Sequence, residues 1–229
     1  MTKYNGTDNL EVMDCALNYN SYLVNSIKYY LPNPSRILDF GAGIGTFASK
    51  IESPNVRVDC FEPDSAQLNR IINSNNNYSS VTDIPNASYD MIYSLNVFEH
   101  IEDDFQSIKD VAGKLKTNGI FFIYVPAFQL LFSSMDNKVG HFRRYRREPL
   151  EGLLQGAGFK IIQSQYVDSL GFFASLVFKI IGSKSGDISK ESVTIYDKYI
   201  FPVSVYFDRI LNKVLGKNVL IVCKKCWPY

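Results

Sequence analysis

Hydrophobic positions change period along the chain, and the changes divide it into elements. From 11 to 31, Val12, Ala16, Tyr19, Leu23, Ile27 and Tyr30 recur at three- and four-residue intervals, which is the stripe of a helix with one buried face. Leu31-Pro32-Asn33-Pro34 stops that pattern and delivers the chain into an extended run. Short apolar runs near 36–40, 56–61, 79–82, 90–95 and 119–125 then read as strands, separated by helical segments. Strands alternating with helices predict an α/β domain whose parallel sheet is covered on both faces through right-handed crossovers. After the fourth run, Glu102, Asp103 and Asp104 place acids at a helix N-terminus, where the helix dipole favours them. Phe105, Ile108, Val111 and Leu115 form the buried stripe of that helix. A further helix from Glu148-Pro149 to Gly156 leads into a sixth strand at 160–166.

The last strand, 218–225, follows only after a long connection, 167–217. A connection of that length usually carries structure or function of its own. Its first segment, 169–182, is strongly apolar but too short to span a bilayer, and Lys179 interrupts it. A lid over an apolar substrate, a dimer face and a peripheral membrane contact all remain open for it, with the lid or packing element preferred. The missing Lys/Arg-rich polar face weighs against membrane contact. The expected organisation is a single domain, 1–229, with a helical cap at 1–35 and an insert at 167–217.

Candidate chemistry is concentrated where the first strand ends. Arg36-Ile-Leu-Asp39-Phe-Gly41-Ala-Gly43-Ile-Gly45 carries an acid and then three glycines at alternate positions. Glycine accepts positive φ and lacks a Cβ, so a nucleoside can lie against bare backbone there. A dinucleotide fingerprint, G-x-G-x-x-G/A, needs a small residue at the position Thr46 occupies, so the loop suits a nucleoside without a pyrophosphate better than NAD. The second run, Val56–Phe61, ends in Glu62, an acid placed to accept both hydroxyls of a ribose.

On these residues the chain resembles the class I S-adenosylmethionine-dependent methyltransferases, in the small-molecule branch. The resemblance implies a doubly wound, mostly parallel seven-stranded sheet of the Rossmann-like methyltransferase type, ordered 3-2-1-4-5-7-6 with the seventh strand antiparallel. It implies S-adenosyl-L-methionine as cofactor, with its methionine part over Asp39, Gly41, Gly43 and Gly45 and its ribose on Glu62. Asp83 would lie near the adenine amino group, and the backbone at Asn96 would lie at the methionine end. The segment 89–101, closing in Glu99-His100-Ile101, and the turn at Asn118-Gly119 are similar to the family's fourth- and fifth-strand motifs.

Just past the fifth strand, Asp136…Gly140-His141-Phe-Arg143-Arg144-Tyr145 is similar to a stretch in a subgroup of bacterial methyltransferases. Ligands of doubly wound sheets gather outside the carboxyl ends of the strands, which brings this segment to the acceptor side. Histidine suits removal of an acceptor's proton because its ordinary pKa lies near neutrality. The chain has two histidines, His100 and His141. His141 is expected to be the base or a substrate contact, oriented by Asp136; His100 in its simplest reading packs or caps, and which of the two acts as base stays open. Arg143, Arg144 and Tyr145 are the expected contacts to an acidic group on the substrate.

Composition narrows the acceptor. With a net charge of +1, 46% apolar and 21% charged residues over 229 positions, the chain has no global field to attract nucleic acid. A small molecule is expected, such as a lipid- or glycan-linked intermediate. Cys15, Cys60, Cys223 and Cys226 do not compose a disulfide framework or a zinc site, and no metal is expected. The first residues lack an apolar leader, so a cytoplasmic location is expected and the sequons at Asn5, Asn77 and Asn86 carry no meaning. Two other functions compete with methyl transfer: NAD-dependent oxidoreduction, and binding of the cofactor without catalysis. Oligomeric state is not legible.

Overall fold

The run Ser35–Phe40 becomes strand β1, and every side chain in it except Arg36 is buried. A strand covered on both faces must be apolar on both, which is why this run does not alternate. The computed structural model describes residues 12–72, 75–181 and 189–226. In it β1 pairs in parallel with β2 (Val56–Phe61) and β4 (Tyr89–Leu95). Strands β3 (Asn77–Tyr78) and β5 (Leu115–Pro126) extend the sheet on either side. The order is β3-β2-β1-β4-β5-β7-β6, with β7 (Asn218–Lys225) antiparallel to both β5 and β6 (Phe159–Val167). This is the doubly wound, seven-stranded arrangement expected from the resemblance.

Two apolar cores cover the two faces, and successive residues of β5 feed them alternately. Phe121, Ile123 and Val125 enter the core built with the helices Asp104–Lys114 and Arg147–Gly156. Phe122 and Tyr124 enter the core built with the helix Leu17–Tyr30. That helix buries Asn20, Leu23, Val24 and Ile27, following the predicted period. Residues 1–11, which include Asn5 and the start of the expected cap, lie outside the described residues.

Two element boundaries differ from expectation. The third strand pairs at Asn77–Tyr78, while Val81 and Thr82, expected in the strand, belong to a 3₁₀ turn, Val81–Asp83. The Ser80 hydroxyl accepts the Thr82 amide at 3.3 Å and offers the backbone a local partner in place of a strand neighbour. β5 begins at Leu115 rather than near 119, running directly on from the preceding helix. Asn118 adopts φ 67° there, and the register with β4 shifts between Tyr89 and Met91, as at a β-bulge.

The 167–217 connection is largely helical. Ser169–Ile181 is one helix, and a second runs from Lys190 through a π-helical stretch, Tyr196–Ile200, to Leu211. Residues 182–188 lie outside the described residues. The base of this helical pair is a buried polar knot. Asp208 accepts the amides of Asp168 and Ser169, both at 2.8 Å, and the Tyr196 hydroxyl donates to Asp168. The insert also packs on the N-terminal helix, where Phe201 meets Tyr19 and Tyr22 edge-on at 5.5 and 5.7 Å. Asp197 caps that helix from a distance: its carboxylate accepts the amides of Asn18 at 2.9 Å and Tyr19 at 2.8 Å. Ala16, at the N-cap position itself, has no side chain able to do this. The outer face of the insert is apolar and open. Phe173, Ile180, Tyr199, Tyr206, Ile210 and Val214 all expose half or more of their surface. Among the described residues no helix is long and apolar enough to cross a membrane.

Candidate active site

The glycine loop leaves β1 with positive φ at each expected position: 86° at Gly41, 56° at Gly43 and 82° at Gly45. An L-residue is strained in this region, and at Gly41 a Cβ would also collide with the side chain of Val97. The loop is clamped from the end of β2. The Phe61 carbonyl accepts the amides of Gly41 and Ala42 at 2.8 and 2.9 Å, and Glu62 accepts those of Gly43 and Asp64 at 2.8 and 3.0 Å. Burial pushes the Glu62 carboxyl above its ordinary range, opposed by those two backbone hydrogen bonds. Each carboxylate oxygen accepts one amide and keeps lone-pair capacity for a ribose hydroxyl. Backbone bare of side chains beside a buried acceptor is the arrangement a nucleoside requires.

Other expected cofactor positions divide into buried and exposed. Asp39 is buried, and the Tyr93 hydroxyl donates to it at 2.8 Å. Burial raises its pKa to about 7; the Tyr93 hydrogen bond opposes this and the nearby Glu62 charge adds to it. Asn96 adopts φ 53°, and its amide donates to the Tyr124 carbonyl at 2.7 Å, aligning the end of β4 with β5. Tyr19 reaches the same place, its ring edge-on to that of Tyr124 at 6.1 Å and its hydroxyl pushed up to about 12 by burial. Asp83 is exposed on the 3₁₀ turn after β3.

Asp39 gives a pH-dependent prediction. Its carboxyl has a pKa of 3.8 in the unfolded chain and about 7 in the fold, so between those values the native state retains a proton that the unfolded state has lost. Asp39 therefore stabilises the fold relative to its ionised form at low pH, and that contribution declines as pH rises from about 4 to about 7. Denaturation of the ligand-free protein should show Asp39→Asn gaining on wild type over that interval. A constant difference between the two would contradict it.

The acceptor-side segment is not a simple loop. Ser134–Val139 is a short helix with a capping box, in which Asp136 accepts the Ser133 amide at 2.8 Å. Gly140 ends the helix at φ 80°, and His141 follows. Asp136 is fully buried and forms the hub of the segment. Its Oδ1 lies 2.7 Å from His141 Nδ1 and accepts Arg144 Nε at 2.8 Å, while its Oδ2 accepts Arg144 Nη2 at 2.9 Å. Burial alone would raise the Asp136 pKa, but the hydrogen bonds from His141 and Arg144 hold it well below the usual carboxylate range.

The same geometry places the three expected substrate contacts. Arg144 is buried on Asp136 in a bidentate pair. Arg143 pairs with Asp104 at 2.9 Å and donates to the Glu102 carbonyl. The Tyr145 hydroxyl donates to the Phe98 carbonyl and the Asp104 carboxylate at 3.0 and 2.9 Å. An anionic acceptor would have to compete with Asp136 and Asp104 for these groups, so as placed they hold the segment together.

Two neighbours of His141 were not predicted to touch it. Its ring centroid lies 4.5 Å from that of His100, nearly perpendicular, and its Nε2 lies 3.8 Å from Glu99 Oε1. Glu99 is fully buried, and no other described residue hydrogen-bonds either carboxylate oxygen. Burial pushes its pKa up to about 8, with Arg144 acting against the rise and Asp136 adding to it. Burial likewise lowers His100 to about 4, reinforced by His141. The Phe142 amide donates to the Glu99 carbonyl at 2.8 Å, tying the two segments together. The adjacent Glu-His pair after β4 was the sequence signal for this cluster; its meeting with a histidine beyond β5 had none.

Comparison with known proteins fits this geometry. Residues 18–164 match the family model described as a methyltransferase domain. No curated protein matches the chain. Among solved structures, the chain is similar to a Galdieria sulphuraria protein assigned as a sarcosine dimethylglycine methyltransferase, at 19% identity and TM-score 0.62, covering 92% of this chain and 86% of that one. Phosphoethanolamine N-methyltransferase 2 of Haemonchus contortus, solved with S-adenosyl-L-methionine, is similar at 15% identity and TM-score 0.61, covering 91% and 53%. A SAM-dependent methyltransferase of Archaeoglobus fulgidus is similar at 17% identity and TM-score 0.59, covering 90% and 94%. At these identities the likeness is one of fold.

Proposed function

Because the chain belongs to the methyltransferase-domain family and has the class I fold, we propose that it methylates a small-molecule hydroxyl acceptor activated at the Asp136–His141 pair. S-Adenosyl-L-methionine is the methyl donor, and when bound it supplies a methyl carbon already activated by its sulfonium. The residues that would hold it are those of the Gly41–Gly45 loop, with Asp39, Glu62 and Asn96 around them and Asp83 at the adenine end. Alignment of the acceptor oxygen and activation of its hydroxyl then fall to the protein.

The observation that carries this reading is the 2.7 Å contact between His141 Nδ1 and a fully buried carboxylate. A carboxylate on one ring nitrogen fixes the imidazole's orientation and directs the other nitrogen, Nε2, to its work. Arg144 and Ser133 hold that carboxylate in turn, so the histidine is built into the segment rather than left on a mobile side chain. The apolar outer face of the insert favours an acceptor with a long apolar part, such as a lipid-linked intermediate, approaching along the helices Ser169–Ile181 and Phe201–Leu211.

Calorimetry tests the cofactor half of the reading. S-Adenosylhomocysteine should bind and NAD should not. Glu62→Ala removes both the ribose acceptor and the brace on Gly43, and should weaken S-adenosylhomocysteine by about ten- to a hundredfold, or about 1.5–3 kcal/mol, with the fold intact. Unchanged affinity in a folded Glu62→Ala protein would remove the assignment. A methyl-donor assay on fractionated small-molecule extracts tests the acceptor half.

A further inference from the structure

The unpartnered Glu99 carboxylate is the least expected group near the site. A fully buried carboxylate with no donor from any other described residue is costly unless something pairs with it. What it faces is two imidazoles. One atom each from Glu99, His100 and His141 lies within 4.8 Å of the others. We propose that Glu99, His100 and His141 form a binding site for a divalent first-row transition metal ion of the zinc class, beyond the carboxyl ends of β4 and β5.

The donor set fits such an ion in type, number and support. One carboxylate and two imidazoles are the nitrogen and oxygen donors that zinc and its neighbours take; magnesium and calcium favour oxygen alone. Three protein ligands leave one position of a tetrahedral ion open, which is the arrangement of catalytic rather than structural zinc sites. Bonds of about 2.1 Å would separate the ligand atoms by about 3.4 Å, so the cluster has to contract by roughly 1 Å, within reach of side-chain rotation.

Support around the ligands is already in place. Metal-bound histidines give their second ring nitrogen to a carboxylate or a backbone carbonyl, which sets the ring's orientation. His141 has Asp136 on Nδ1 at 2.7 Å, leaving Nε2 on the side of Glu99. His100 is hydrogen-bonded by the backbone at Val139 and Gly140. Charge is also accommodated: Arg144, whose charge acts on Glu99, is paired with Asp136, and an ion would meet the Glu99 carboxylate directly.

The inference rests on the methyltransferase reading and specifies how His141 acts in it. An acceptor hydroxyl at the open position would have its pKa lowered by the ion and lose its proton to solvent water. His141 thus activates the acceptor through the ion it holds. The acceptor class is an alcohol or phenol.

The test uses the full chain stripped with a chelator and titrated with Zn²⁺ by calorimetry and with Co²⁺ by visible absorption. One equivalent should bind, and Co²⁺ should give the intense visible bands of a four-coordinate nitrogen–oxygen site. Glu99→Gln and His100→Ala should each weaken Zn²⁺ by more than a hundredfold, and Asp136→Asn by about ten- to a hundredfold, as expected of an outer partner. S-Adenosylhomocysteine titration of each variant reports folding and the cofactor site separately. Absence of a stoichiometric Zn²⁺ or Co²⁺ site in wild type would overturn the proposal, as would equal Zn²⁺ affinity in a folded Glu99→Gln protein. If Glu99→Gln does not fold, the wild-type Co²⁺ spectrum decides. S-Adenosylhomocysteine binding without metal would leave the methyltransferase reading standing and this one refuted; metal without S-adenosylhomocysteine would do the reverse.

Discussion

His141→Ala should lower kcat by about 10²- to 10⁴-fold while leaving S-adenosylhomocysteine affinity within twofold of wild type, the size usual for loss of a group that activates the acceptor hydroxyl. The split follows from where the ring sits. His141 is held from the segment after β5 by Asp136 and touches His100 and Glu99, whereas the residues proposed to hold the nucleoside lie on the glycine loop and at the end of β2. An interaction made only as the acceptor reacts lowers kcat and kcat/KM together. The comparison needs the true acceptor and a direct cofactor titration. Equal kcat in mutant and wild type would take His141 out of the chemistry and leave alignment alone to account for the rate.

The second large effect falls on stability. Asp136→Ala would leave the Arg144 guanidinium buried without its carboxylate, and loss of one partner of a buried ion pair costs about 3–5 kcal/mol. Asp136 also caps the Ser134–Val139 helix through the Ser133 amide, so the helix start loosens in the same variant. Chemical denaturation should therefore show a large loss for Asp136→Ala and a smaller one for Asp136→Asn, which keeps one acceptor oxygen. Asp136→Ala combined with Arg144→Met should recover part of the loss, because the stranded charge is gone. A loss below about 1 kcal/mol in Asp136→Ala would show that the pair is not holding the segment.

How much was legible depends on how far apart in sequence the cause of each feature lies. The glycine loop and Glu62 could be read directly: an apolar run, an acid and glycines specify a turn within a few residues. The sheet order followed from the resemblance, and the helix stripes from their period. β3 was misplaced because Ser80 and Thr82 satisfy the backbone locally, a competition that a run of β-formers does not reveal. The helix at Ser134–Val139 did have a signal, since Ser133 followed three positions later by Asp136 is a capping-box pattern. Arg143 and Arg144 read as contacts to an acidic substrate group because four arginines crowd into 143–147, and only the fold supplies Asp104 and Asp136 as partners. Of the Glu99–His100–His141 cluster only the adjacent Glu-His pair could be seen, not its meeting with His141. It exists because β4 and β5 are neighbours, and neither strand's own sequence states what the other's loop carries.

The cap that Asp197 places on the helix Leu17–Tyr30 has a consequence for how the protein is made. Asn18 and its acceptor are 179 positions apart, a delay of roughly ten to thirty-five seconds at ordinary rates of synthesis. Until then the helix has an unfinished first turn, and a helix of that length is marginal without its packing partners. Tyr19, which meets Tyr124 in the finished protein, sits in that same first turn. The emerging chain can therefore stack its early strands and helices, but it cannot close the cofactor end until the insert has arrived to close it. A nascent or truncated chain that stops short of Asp197 should resist neither proteases nor aggregation at its N-terminal helix, however well its glycine loop has formed.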